Sequence, residues 1–554
     1  MQYLTEAPPS TVDVVVLGSG AGALTTAATA ARHGKRVLVL EKAGMLGGTS
    51  AISGGMLWIP ANHHAAAAGL VDDTDDAAAY VRAISRGRGR SELVEAAVTH
   101  GDAMLRFAET ELGVRFQFLD TFPDYRTDLP GSVASGRTIE PQPANVDDLL
   151  GDLAAHVRSD GRAPFTMQEY ERWGAFTRFP WDELAERERN GMVAKGRALV
   201  TMLLAAAVRE GVHVAVEARG ERLVVEDGRV VGVVLATGER FDARDAVVIG
   251  TGGFEWDTAL ADSLLASRLY AVCSPPTNEG DGLRMAQRIG AATRGTREAW
   301  WAPMALTGDT RDGRPIGTLL RFERQGPGSI MVNRDGRRFA NESQNYNDLA
   351  RTLQSWDSPN NRTLNTPAHV VIDQTYLETY GLLAHRAGEP TPAHLIEAPT
   401  LEALAERIGV PAAALVATAD RFNEHAARGE DPDFHRGETT YDRYWGDAEN
   451  PWPNPSLAPL TRGPFYALEV VNGAFGTSGG IATDGRARVL DVDGEPVAGL
   501  FAVGNATESA YAAGYPGAGA TLGPLMTMGY LAGRTIGDDP VDQRRTDALT
   551  GAAR

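Results

Sequence analysis

The first clear pattern of apolar and polar positions runs from Val12 to Leu40. Val12–Leu17 is dominated by valine and leucine, the signature of a strand buried on both faces. Ala23–His33 is Ala-rich and helical in character, and Gly34 stops it. Arg36–Leu40 reads as a second strand, so the three segments predict one βαβ unit. A second α/β block opens with "ALVTMLLAAAVREGVHV", a helix ending near Gly211 followed by a strand. Short strands punctuated by Asp227-Gly228 and Gly238 then lead to a buried strand, Ala246–Ile249. A third block, "IATDGRARVLDVDGEPVAGLFAVGNAT", has turns at Asp484-Gly485 and Asp493-Gly494 and an apolar strand, Leu500–Val503, ending at Gly504.

Between these blocks the pattern weakens. Residues 100–190 are rich in Pro, aromatics and charge, with little periodicity. Residues from about 296 to 470 mix helices such as "LEALAERIG" and "AALVATADRFNEHA" with Pro-rich loops. The loop 446–460 reads as a connection returning through "GPFYALEV" to the first domain. This order predicts an α/β fold with a Rossmann-like, discontinuous nucleotide-binding domain, residues 1–295 and 473–554, and an inserted α+β catalytic domain, residues 296–472.

Composition narrows the classes. The chain has 554 residues, 43% of them hydrophobic and 23% charged, which fits a globular protein with a sizeable core. Its formal net charge of −19 disfavours nucleic acid and anionic membrane as partners. Cys273 is the single cysteine, so no intrachain disulfide or cysteine metal cluster is available, and a reducing, cytoplasmic location is expected. The N-terminus lacks the pattern of a secretory signal, no apolar run suggests a transmembrane segment, and the polar tail from Asp538 is expected to fray.

The chemistry begins at Gly18-Ser19-Gly20-Ala21-Gly22-Ala23, placed between a strand and a helix. Gly18 permits the tight turn, Gly20 lets a pyrophosphate approach the backbone, and Ala23 allows close helix–sheet packing. The helix N-terminus offers N–H donors to phosphate. Glu41, ending the second strand, can accept from ribose hydroxyls, and an acid there argues against a 2′-phosphate. The loop after it, with Gly47-Gly48-Thr49-Ser50 and Ser53-Gly54-Gly55, is dense in backbone N–H groups and hydroxyls. It can wrap diphosphate and ribityl oxygens and admit a flat ring, which an NAD site does not need. Adjacent His63 and His64 are expected to point apart and to hold no metal, because they lack the i,i+4 spacing of a ligand pair. Trp58, Trp300 and Trp301 are candidates for an apolar slot or for the core.

These segments resemble the flavoprotein family of fumarate reductases and 3-ketosteroid dehydrogenases. The resemblance rests on Glu41-Lys42 with the glycine-rich loop, on "NEGDGLRMAQRIGA", "IMVNRDGRRFANES" and "GLFAVGNAT", and extends from Val12 to about Gly533. It implies FAD, with contacts at Gly18, Gly20, Ala21, Gly22, Glu41, Lys42, Gly48, Thr49, Ser50, Ser53, Gly54, Gly55, Gly252, Gly504, Asn505 and Leu522.

Within that family, the 3-ketosteroid Δ1-dehydrogenase branch carries three tyrosine motifs. "PDYRTDLPGSVASGRT" matches at Tyr125, "NESQNY" at Tyr346 and "YPGAG" at Tyr515 to Gly519. The resemblance implies Tyr346 as base, Tyr125 as its proton partner, and Tyr515 with the Gly519 N–H as donors to a ketone oxygen. It also implies desaturation of a 3-ketosteroid at C1–C2, an apolar polycyclic ketone as substrate, a role in steroid metabolism and lipid degradation, and an external, quinone-like electron acceptor. Asn345-Tyr346-Asn347 and Arg126-Thr127 depart from the branch's usual residues. The alternatives are a Δ4-(5α) desaturase, or a dehydrogenase or ene-reductase of another cyclic ketone or fumarate-type acid. Fumarate-reductase relatives use Arg and His clamps; Arg321 and Arg324 are available here, without a His partner in "SPPTNEGDG".

Overall fold

A computed structural model describes residues 1–159, 161–174 and 178–538; the tail beyond, expected to fray, lies outside the described residues. Two large sheets organise it. The first has nine strands, and its core is parallel: His213–Val216, Val37–Leu40, Thr11–Leu17, Arg240–Ile249 and Pro496–Ala502 lie side by side. The β-branched run reads as it does because both faces of the strand are covered: Val14, Val15 and Val16 are fully buried. Helix Ala21–Arg32 packs on one face beside helix Lys195–Arg209 and the C-terminal helix Leu522–Gly537. Strand Pro496–Ala502 pairs with Arg240–Ile249 at Val247↔Leu500, so a C-terminal segment completes a sheet begun near residue 2.

The second sheet has seven strands. Its centre is Phe465–Thr477, a 13-residue strand whose first half lies between Ala368–Asp373 on one edge and Leu395–Ala398 on the other, and whose second half pairs with Ala299–Ala305. The segment "GPFYALEV", expected only to lead back to the first domain, is thus the spine of this sheet. Ala271–Val272 also joins that strand.

A three-stranded sheet of Leu57–Trp58, Thr138–Pro141 and Phe116–Phe118 organises the poorly patterned 100–190 region. It presents the loop that carries Tyr125. Among the described residues, no helix is long and apolar enough to cross a membrane.

Candidate active site

The nucleotide groove is built mostly from backbone. Gly18 sits at φ +99°, and a Cβ there would stand 2.3 Å from the Gly250 carbonyl oxygen, so only glycine lets the two parallel strands end this close together. The Glu41 carboxylate ties the turn together: Ser19 donates to it from N–H (3.1 Å) and hydroxyl (2.6 Å), and the Ala43 N–H donates at 2.9 Å. Ser50 accepts from the Ala21 N–H at 3.0 Å, joining the second glycine loop to the helix start. The groove gathers Gly18, Gly20, Ala21, Gly22, Glu41, Lys42, Gly48, Thr49, Ser50, Gly252, Gly504 and Asn505, all expected from sequence. Sequence reading missed Thr251, Asn278 and Leu525, which line it from other segments. Lys42 is held by Glu279 at 2.9 Å and Asp281 at 2.8 Å, so its charge is partly neutralised at the rim.

The groove opens into a cavity of about 690 Å³ that shares Thr49, Ser50, Asn505 and Leu525 with it. Ser53, Gly54, Gly55 and Leu522 line this cavity, as do Tyr125, Tyr346, Tyr515 and Gly519. The three tyrosines come from three distant segments and meet as a cluster. Tyr125 stacks on Tyr515 with centroids 5.5 Å apart and planes 11° apart, and Tyr346 stands edge-on to Tyr125 at 5.5 Å and to Tyr515 at 5.1 Å. The Tyr125 and Tyr346 hydroxyls are 3.3 Å apart. Trp300 packs its edge on Tyr515 at 5.4 Å and donates to the Asn505 side chain at 3.0 Å. Trp58 donates to Asp124 at 2.8 Å beneath the cluster, whereas Trp301 belongs to the core.

Each tyrosine is held by its surroundings. The Pro516 carbonyl accepts from the Tyr125 N–H at 2.9 Å and from the Tyr80 hydroxyl at 2.7 Å, tying the 125 loop to the 515 turn. Next to it, buried Arg137 pairs with Asp124 at 2.8 Å and with Asp72 at 2.6 Å. Tyr346 opens helix Tyr346–Leu353, capped by the Asn345 side chain, which accepts from the Asp348 N–H at 3.0 Å. That cap gives Asn345, one of the departures from the branch's usual residues, a local structural role. Arg351 donates to the Ala513 carbonyl at 2.7 Å and ties this helix to the segment before Tyr515. Gly519 has φ +89°, and a Cβ there would stand 2.4 Å from the Met56 oxygen and the Leu57 nitrogen. Its backbone therefore passes at closest range beside the strand that follows the flavin loop, three residues before helix Leu522–Gly537 begins.

Burial is the largest influence on all three phenols and raises their pKa above the ordinary tyrosine value. At Tyr125 the Arg321 cation opposes that rise. Arg324, the other arginine singled out from sequence, is spent on structure. It is fully buried and donates to the Leu320, Gln344 and Glu342 carbonyls, shaping the loop that leads into Tyr346. Cys273 also lines the cavity, and burial pushes its thiol up to about 11, away from nucleophilic use.

One expectation about the histidines needs correction. His63 and His64 do not point apart: their rings lie 4.3 Å from each other, and Glu109 meets His63 at 2.9 Å and His64 at 2.8 Å. Among the described residues these three place potential ligand atoms within 4.8 Å of one another. The short helix His63–Ala67 packs its first turn against Asp102 and Glu109 of helix Gly101–Thr110, and this tertiary contact overrides the divergence expected of neighbours.

The fit to a flavin dinucleotide can be tested on the groove itself. Helix Ala21–Arg32 begins in the groove, where Ala21 and Gly22 line it, and its N-cap Gly20 supplies no side-chain acceptor, so the helix start is open to a ligand's phosphate oxygens. The fold and site together define a flavin-dependent oxidoreductase.

The family comparison agrees. The model of the FAD binding domain family matches residues 13–522, and the chain belongs to that family, with FAD as cofactor. The chain is 78% identical over 542 residues to "4-oxocyclohexanecarboxylate 2-dehydrogenase" of Sinomonas cyclohexanicum, covering 97% of this chain and 94% of that one. It is 35% identical to "3-oxosteroid 1-dehydrogenase" of Mycolicibacterium smegmatis, covering 95% and 97%. A crystal structure of 3-ketosteroid delta1-dehydrogenase from Sterolibacterium denitrificans in complex with 1,4-androstadiene-3,17-dione matches with a TM-score of 0.88 at 33% identity, covering 96% and 100%.

These relatives overturn the expectation of a 3-ketosteroid dehydrogenase acting at C1–C2. The relative at 78% identity is named for a one-ring keto acid, and the steroid enzymes stand only at about 35%. The physical reason lies in what the motifs read. The tyrosine and glycine motifs are short stretches around single residues, and nothing in them fixes how many rings a substrate has.

Proposed function

We propose that this protein is an FAD-dependent dehydrogenase of a 4-oxocyclohexanecarboxylate-type keto acid. It introduces the double bond between the α and β carbons of the ketone, as the name of the relative at 78% identity suggests. The reading is carried by one observation: Tyr125, Tyr346, Tyr515 and Gly519 share a single cavity with the flavin loop Ser53–Gly55.

In this reading the Tyr515 hydroxyl and the Gly519 N–H bind the ketone oxygen. As the α carbon loses its proton, negative charge grows on that oxygen, and donors fixed in a dry cavity stabilise it. Tyr346 accepts the α proton at its phenolate oxygen. The Tyr125 hydroxyl, 3.3 Å away, stabilises that phenolate and takes the proton onward. The buried position keeps water from the enolate, and Trp300 and Phe475 hold the rings of Tyr515 and Tyr346 edge-on. The groove from Gly18 to Glu41, with Thr49, Ser50, Gly504 and Asn505, would hold FAD, which when bound would supply an acceptor for the hydride that leaves the β carbon. A quinone-like external acceptor would receive the electron pair.

We propose as well that the dinucleotide part comprises residues 1–295 and 473–554, with 296–472 forming the substrate side. Pairing of Pro496–Ala502 with Arg240–Ile249 supports this. The test of function is direct. Purified protein, incubated with 4-oxocyclohexanecarboxylate and an artificial electron acceptor, is expected to form a conjugated enone, seen by its ultraviolet absorbance and by mass loss of two hydrogens. Absence of the enone, with flavin bound, would refute the proposed reaction.

A further inference from the structure

A keto acid has a second end, and the tyrosine cluster accounts only for the first. The cavity that holds the three tyrosines is also lined by Arg162, Arg311 and Arg321. Arg321 follows strand Thr318–Leu319, which pairs with Ala299–Ala305 of the second sheet, and it precedes the short helix Phe322–Gln325. It is half-buried, and its backbone N–H is occupied by Glu323 at 2.9 Å. Its guanidinium is different from those of the arginines around it. Arg126 pairs with Asp128 and Asp348, Arg137 with Asp72 and Asp124, and Arg338 with Glu342 and Asp431. Arg324, which does not line the cavity, donates to carbonyls from Nε and Nη1 and leaves its Nη2 buried without a partner among the described residues, and Arg311 donates to the Cys273 carbonyl. Lys195 lies over the Phe165 ring at 3.3 Å. Among the described residues no carboxylate pairs with Arg321. A half-buried guanidinium that lines a cavity without an acid partner is open to a carboxylate, which binds it in the forked geometry.

We infer that Arg321 is the carboxylate-binding residue of the cavity, holding the acid end of the substrate while Tyr515 and Gly519 hold the ketone end. The inference rests on the keto-acid reading above and adds the residue that makes the site selective for it. Its consequence is geometric. In a 1,4-substituted six-membered ring, the carbon that loses hydride is the neighbour of the carbon bearing the carboxylate. Pinning both ends of so small a ring fixes its tilt and leaves one α,β pair facing Tyr346 and the flavin loop. The same cation excludes a steroid skeleton, which would bury apolar rings against an unpaired charge.

The test compares an acid with its neutral isostere. The visible spectrum of the purified holoenzyme is titrated with 4-oxocyclohexanecarboxylate and with 4-oxocyclohexanecarboxamide, and turnover of both is recorded. For the parent protein the acid is expected to bind more tightly. Arg321→Gln should weaken the acid about 100-fold while moving the amide by less than about threefold, and Arg321→Lys should restore part of the loss. In turnover the change should fall on KM more than on kcat. Equal weakening of acid and amide would overturn the assignment, as would discrimination that survives Arg321→Gln or that is lost instead in Arg162→Gln. The two readings separate cleanly. Arg321-dependent binding of the acid without enone formation would refute the proposed reaction and leave the binding role standing. Equal desaturation of acid and amide would do the reverse.

Discussion

The nucleotide groove and the tyrosine cavity share a wall, yet they are built in opposite ways. The groove is made largely of backbone, with one wall continuous in sequence from Gly18 to Ser50 and the rest added from near Gly252, Asn278 and Gly504. The cavity is made of side chains from segments hundreds of residues apart, brought together at Tyr125, Arg321, Tyr346 and Tyr515. A backbone site tolerates little change in conformation and recognises a group common to many ligands. A side-chain site keeps its conformation when one residue changes, and its chemistry or selectivity changes with that residue. The cofactor is therefore shared across the family, while the substrate differs between relatives at 78% and 35% identity.

The contrast can be broken most forcefully at Tyr346. Tyr346→Phe is expected to lower turnover by about 10³-fold, as for loss of a general base, with the flavin spectrum and bound flavin unchanged. A phenylalanine variant that keeps near-parent turnover would remove Tyr346 from proton transfer. Tyr515→Phe removes one of two donors to the ketone oxygen and should cost about 10²-fold in kcat, again with flavin retained. On the other side of the wall, Gly18→Ala should show the reverse phenotype. Left-handed strain and the clash with the Gly250 carbonyl should weaken flavin binding about 30-fold, measured as flavin lost on dilution, while reconstitution with excess FAD restores turnover. Turnover lost in Gly18→Ala with flavin fully bound would blur the distinction.

The smallest effect is on pH dependence. A base works unprotonated, and burial raises the phenols of Tyr125, Tyr346 and Tyr515. The active fraction therefore grows as pH rises, and kcat/KM should climb towards alkaline pH by at most about tenfold per unit, with no fall between neutrality and pH 10. Arg321→Gln removes the cation that opposes the rise at Tyr125 and should move this limb to higher pH, measured with the carboxamide so that binding of the acid does not confound it.

Legibility followed the same division. Thr11–Leu17, Ala21–Arg32 and Val37–Leu40 fall within two residues of the segments read from periodicity, because β-branched runs and Ala-rich runs declare themselves locally. Phe465–Thr477 did not declare itself. Its register is decided by strands Ala299–Ala305 and Ala368–Asp373, distant in the chain, and it follows a Pro-rich loop that suggests irregular structure. The tyrosines were singled out only by resemblance to a family's motifs, and no periodicity or local pattern marks them. Arg321 was noticed only as one of two arginines. Nothing in "LLRFERQG" separates it from Arg324, although one lines the cavity and the other is locked onto carbonyl oxygens.

The sequence alone determined the βαβ unit, the glycine turn and the acid that ends its second strand, because those depend on backbone sterics and local burial. Only the tertiary structure decided that three tyrosines meet in one cavity, that His63 and His64 share Glu109, and that Arg321 rather than Arg324 lines that cavity. Side-chain sites depend on distances between segments, and those distances are set by how the two sheets and the loops between them pack.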